Sequence, residues 1–224
     1  MLAPWMLLAG RALLALALGL AITFTSGHTA AFGLVAFGVY ALASGALILA
    51  GTFGRRAAAE ARTAFRASGI VSVVAGVAAL VLPSGGIGYL VWLLSGWAIV
   101  TGALELVSGI RARRRIPGWS DWIIVGSLTV LLGIVVLATP PDIADYFRGD
   151  KGVQGLLTSS IILVGMLGAW AVITGVLQAI AAASPNKTAA RPAQPATAST
   201  SSAPAPSAPN PSAPGATPSR EVAP

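Results

Sequence analysis

Hydrophobic positions along the chain fall into six long apolar runs, at residues 7–24, 31–53, 67–82, 87–110, 122–138 and 156–182. Crossing the hydrocarbon core of a bilayer takes about 20 apolar residues in a helix, with a range near 17–25. Backbone polar groups in lipid must be satisfied within the segment itself, so each run predicts a helix rather than a strand. The third and fifth runs are short and would need little tilt or some local thinning of the bilayer. The sixth is long enough to tilt or to extend beyond it. The pattern predicts an all-α polytopic membrane protein with six transmembrane helices.

The runs are not independent. Gly19, Gly76 and Gly133 stand 57 residues apart. Ser26, Pro83 and Pro140 keep that spacing and close the odd-numbered runs. Tyr40-Ala41 returns as Trp97-Ala98 after 57 residues and as Trp170-Ala171 after another 73. Ser44-Gly45, Thr101-Gly102 and Thr174-Gly175 follow in the same register. The sixteen extra residues of the third copy fall before the sixth run. A fixed period of this size marks one supersecondary unit used repeatedly. The unit is a helical hairpin of about 57 residues, and the three copies cover about 5–56, 62–115 and 119–183 as tandem parallel repeats.

Composition agrees with a lipid-facing exterior. The chain is 55% hydrophobic and 9% charged, where a soluble domain carries about 25% charged residues. Its net charge of +7 would suggest nucleic acid, but the arginines cluster at the ends of apolar runs. Arg55, Arg56, Arg62 and Arg66 lie between runs two and three, and Arg111, Arg113, Arg114 and Arg115 between four and five. The opposite side has His28, the uncharged 83–86 turn and one acidic loop with Asp142, Asp145, Arg148, Asp150 and Lys151. Basic loops stay in the cytoplasm, so both termini are expected inside. Arg11 within the first run, and the alignment of that run with the third and fifth, argue against a cleaved signal peptide. Ten of the 15 prolines lie in 184–224 among Ala, Ser and Thr. Such a segment lacks the apolar surface that would offset ordering, and a disordered cytoplasmic tail is expected there.

Small residues four apart recur in all six runs: Ala15/Gly19, Ser72/Gly76 and Thr129/Gly133 in the odd ones, Ala41/Gly45, Ala98/Gly102 and Ala171/Gly175 in the even ones. Such pairs let helix backbones approach closely, where van der Waals packing drives association in lipid. The six glycines are therefore expected to hold the hairpins together. Glu105 is the one acidic residue inside a run, and an ionisable group there marks a candidate functional site. It lies six residues from Arg111, near the expected cytoplasmic interface, so Arg66, Arg111 and Arg113 are its expected partners. Arg11 is expected to snorkel to the interface, and Tyr40, Trp97 and Trp170 to pack mid-helix. Loop 139–155 is expected to be an irregular polar connection. The chain has no cysteine and one histidine, which excludes disulfides and multi-histidine metal sites. No catalytic constellation is recognisable, and neither an enzyme nor a cofactor is expected.

The tandem hairpins resemble the HdeD-like acid-resistance membrane proteins, built from a short repeat of unknown function. The resemblance rests on GIVSVVAGVAALVLP (69–83), GWAIVTGALELVSGIRARR (96–114), GSLTVLLGIVVLATP (126–140) and AWAVITGVLQ (169–178). It spans about residues 5–183. The first copy departs most, with Ser26 for proline and Ile48 in the place of Glu105. The resemblance implies a bacterial cytoplasmic-membrane protein, in some relatives linked to acid tolerance; it carries over no catalytic residue. Two functions follow as expectations. One is a non-enzymatic membrane protein supporting acid or stress tolerance, with the lipid bilayer and a further copy or another membrane protein as partners and no nucleic acid. The other is a small transporter or channel for protons or small solutes.

Overall fold

The computed structural model describes residues 4–52, 59–113, 118–148 and 154–184. Six helices account for nearly all of them: α1 Pro4–Phe24, α2 Ala30–Thr52, α3 Ala59–Val81, α4 Gly86–Arg111, α5 Trp119–Ala138 and α6 Ser159–Ala183. Each is long and apolar enough to cross a membrane, as in a multi-pass membrane protein. The third and fifth are not short. Their candidate membrane spans are Arg62–Val81 and Trp119–Ala138, 20 residues each. Arg62 and Arg66 had masked the first turns of α3, and Asp121 those of α5. Beyond Ser184, the expected tail lies outside the described residues, as do Arg55, Arg56, Arg114, Arg115, Asp150 and Lys151.

The odd helices end where the sequence predicts. α1, α3 and α5 stop at Phe24, Val81 and Ala138, two residues before Ser26, Pro83 and Pro140. Proline has no N–H to continue the helical ladder, and its ring excludes the preceding residue from the helical region. Gly86 and Gly118, at the starts of α4 and α5, take φ of +78° and +81°, a region in which other residues are strained.

The even helices form the inside. α2, α4 and α6 bury 50%, 50% and 44% of their apolar windows, against 28%, 33% and 33% for α1, α3 and α5. The inner three touch one another, and the odd helices pack around them. The closest helix pairs are α2–α3, α4–α5 and α1–α6. The six glycines lie at these crossings, which join neighbouring hairpins to each other rather than the two helices of one hairpin. A Cβ on Gly45 would come within 2.8 Å of Gly69 O and Val73 N; on Gly76, within 2.6 Å of Leu42 N; on Gly102, within 2.7 Å of Val130 N. Gly133 faces Ile99, Gly19 faces Val172 and Gly175 faces Leu16 at similar separations. Backbone thus lies against backbone in three antiparallel crossings, the last of which brings the first helix against the sixth.

The connection between α5 and α6 is not irregular. Ala144–Arg148 (β1) pairs antiparallel with Gln154–Thr158 (β2), Ala144 opposite Thr158. Ser159 fixes its base: the hydroxyl donates to Pro140 O at 2.8 Å and accepts from Ile143 N–H at 2.9 Å. The sixth helix accordingly begins at Ser159, three residues later than the apolar run.

Candidate functional site

The three inner helices run in the same direction, so equivalent positions form layers along their common axis. Nearest the β-hairpin end is an apolar layer of Leu34, Phe37, Leu90, Leu94, Leu163 and Leu167, all fully buried. One turn on, Tyr40, Trp97 and Trp170 meet as a triangle. Their centroids are 6.2, 5.7 and 5.6 Å apart with interplanar angles of 87°, 82° and 90°. Edge-to-face contacts of this kind place the positive rim of one ring against the negative face of the next. The expected mid-helix packing role of the three aromatics is therefore what the structure displays.

The indoles also need acceptors. Trp97 Nε1–H donates to Ser72 Oγ on α3 at 3.0 Å, and Trp170 Nε1–H to Thr129 Oγ1 on α5 at 3.2 Å. The corresponding residue on α1 is Ala15, and the corresponding aromatic is Tyr40, which has no indole N–H to satisfy. The small residues of the odd helices thus do more than thin the crossing: where a tryptophan faces them, they carry a hydroxyl.

Below the triangle the axis turns polar. Ser44, Thr101 and Thr174 are buried; Thr101 and Thr174 donate to the carbonyls of Trp97 and Trp170, both at 2.7 Å. The next layer holds Ile48, Glu105 and Gln178, also buried. Glu105 pairs with Arg11, Nη2 to Oε1, at 2.5 Å, with only 16% and 7% of the two side chains exposed. This corrects two expectations. Glu105 pairs with Arg11 rather than with Arg111 or Arg113, and Arg11 does not snorkel. Arg11 lies on the inward stripe of α1 with Ala15, Leu18 and Ile22, and reaches across the bundle to α4. Each partner stands about 10 Å inside its helix end, at 1.5 Å per residue. A guanidinium and a carboxylate at such a depth are retained only as a pair, because either alone would be an uncompensated buried charge.

Between the pair and the triangle is a small chamber of about 10 Å³. Its walls include Arg11 from α1, Tyr40 and Ser44 from α2, Ser68 and Ser72 from α3, Thr101 and Glu105 from α4, and Thr129 from α5. The other sequence-marked residues lie elsewhere. His28 Nε2 is 3.0 Å from Ile22 O and its ring meets the edge of Phe32, a local role near the surface. Asp142 and Asp145 are exposed. Trp122 packs on Phe65 at 4.9 Å, and Arg113 lies over Trp119 at 5.7 Å. Among the described residues no group of three or more His, Cys, Asp or Glu side chains is placed to hold a metal ion.

Residues 67–138 match a family model, the short repeat of unknown function DUF308. The DUF308 segment runs from within α3 to the end of α5. It takes in Ser72, Trp97, Glu105 and Thr129, and with them the α4–α5 crossing; Arg11 falls outside it. No curated protein and no solved structure matches the chain.

Proposed function

We propose that the chain is a non-enzymatic membrane protein of three tandem parallel hairpins, related to the HdeD-like proteins, which supports acid or stress tolerance in a bacterial cytoplasmic membrane. The observation that carries the non-conducting part of this reading is the closed axis. Six fully buried apolar side chains and the aromatic triangle fill it, leaving no polar route past that level among the described residues. The link to acid tolerance is supported by the match of residues 67–138 to DUF308, the family that includes the HdeD-like proteins. Equivalent layers at the 57- and 73-residue offsets, and three glycine crossings of one kind, support the repeat reading. The arginine-rich loops support termini on the cytoplasmic side.

A second reading, a small transporter or channel for protons or small solutes, is favoured by one feature, the buried Arg11–Glu105 pair. A membrane-embedded carboxylate is a common proton carrier. Liposomes containing the purified protein and a pH-sensitive dye separate the two. At an external pH of about 4.5, near the ordinary carboxyl pKa, proton entry is expected to match protein-free liposomes. Entry that exceeds them and is abolished by Glu105→Gln would replace the first reading by the second. In cells, deletion of the gene is expected to lower survival in acid and re-expression to restore it. Unchanged survival in the deletion strain would remove the tolerance role.

A further inference from the structure

Two polar atoms at the level of Ile48, Glu105 and Gln178 are not satisfied by the ion pair. Arg11 Nε–H and Gln178 Oε1 are both shielded from solvent, and neither has a hydrogen-bond partner among the described residues. Buried orphans of this kind are rare in folded proteins, and an internal water is the usual partner. Arg11 also lines the chamber under the aromatic triangle. Its volume of about 10 Å³ is close to that of one water. The surrounding groups suit such a guest: a guanidinium donor on α1, a carboxylate on α4, and the hydroxyls of Ser44 and Ser68, which can donate or accept. A buried water needs two to four polar partners, and these supply them.

We propose that this chamber is a binding site for a single water molecule, which accepts from Arg11 Nε–H and donates to the hydroxyl and carboxylate oxygens opposite. Volume excludes larger solutes. Glu105 disfavours an anion there, and Arg11 disfavours a metal cation. The water completes the coordination of the guanidinium and makes the pair a three-membered contact joining α1, α4 and the hydroxyl-bearing inner walls. The inference rests on the geometry around Arg11, not on whether the bundle conducts, so the liposome result leaves it standing or falling on its own.

The test is water-edited solid-state NMR on the full chain, labelled with ¹⁵N-arginine and reconstituted in bilayers. Arg11→Lys identifies the Arg11 Nε resonance by its loss. The expected result is magnetisation transfer from water to Arg11 Nε–H. No transfer there, while the exposed arginines reach full intensity, would overturn the site. Ser68→Val removes a hydroxyl and fills the chamber, and is expected to abolish the transfer to Arg11 Nε. Transfer unchanged in that variant would show that the water reaches Arg11 from elsewhere and would equally overturn the assignment. Should Ser68→Val fail to fold, Ser44→Thr, which adds one methyl group to the α2 wall of the chamber, serves with the same two outcomes.

Discussion

At the scale of single residues, the Arg11–Glu105 contact governs what substitution does. Pairing two charges in a poorly solvated interior gives little net stability, but removing one partner leaves the other uncompensated. Glu105→Ala is expected to destabilise the bundle by about 3–5 kcal/mol, read as a lowered midpoint of thermal unfolding in detergent. Replacing both residues by methionine is expected to recover most of that loss, because two apolar side chains leave no stranded charge. A double variant no more stable than Glu105→Ala would mean that the pair is not what the single change disrupts. The partner of Glu105 was not legible in the sequence for a physical reason. Sequence proximity favours Arg111 and Arg113, whereas the actual partner is 94 residues away and meets it only once α1 and α4 face a common axis. One signal was present: Arg11 stands four residues before Ala15 and seven before Leu18, on the stripe that turns inward. The indole acceptors were half-legible. Ser72 and Thr129 were recognisable as small residues in register, but their hydroxyls acquire a purpose only when Trp97 and Trp170 are seen to point at them.

At the scale of elements, the glycine crossings set how closely the helices approach. A Cβ on Gly102 would press on Val130 N and Gly126 O, which are backbone atoms and cannot turn aside. Gly102→Ala is expected to cost about 1–3 kcal/mol through overpacking. Gly96, on the same helix, has nothing within 4 Å of the corresponding position, and Gly96→Ala should be neutral or slightly stabilising through helix propensity. Chemical or thermal unfolding of the two variants side by side checks the contrast, and equal effects would refute the close-approach account. The glycines themselves were legible from their spacing. Which helices they join was not, since an inward or sideways face depends on the crossing partner. The β-hairpin was hidden too. Strands of five residues are too short for alternation to stand out beside an apolar run, and Leu156 and Leu157 of β2 were absorbed into the sixth run.

At the scale of the whole molecule, hydropathy made the six spans legible because lipid leaves the backbone few alternatives. Orientation is a separate matter, argued from the arginines. Reporters fused after Gly86 or within 142–151 are expected to be active outside the cytoplasm, and those fused at Arg113 or after Lys187 inside. The opposite pattern would reverse the assignment of sides. The interior of the bundle is also uneven along its length: apolar and aromatic toward the β-hairpin, hydroxylated and charged toward the other end. Any chemistry that involves Glu105 must therefore be approached from the end where α1 begins and α4 finishes.

The crossing of α1 with α6 has a consequence for chain order. Gly19 faces Val172 and Gly175 faces Leu16, so the two helices are antiparallel neighbours, and the start of one lies at the same end of the bundle as the finish of the other. Of the three glycine crossings, this alone has no short loop joining its helices. The bundle is in that sense a closed circle cut at one arbitrary point. A circular permutant that begins at Gly118, links Ala183 to Pro4 through about six residues, a usual length for adjacent helices, and ends at Arg113 should fold to the same arrangement. Its thermal midpoint in detergent should stay near that of the parent chain. A permutant that cannot be recovered folded would mean that the order in which the hairpins are made matters as much as the contacts they finally share.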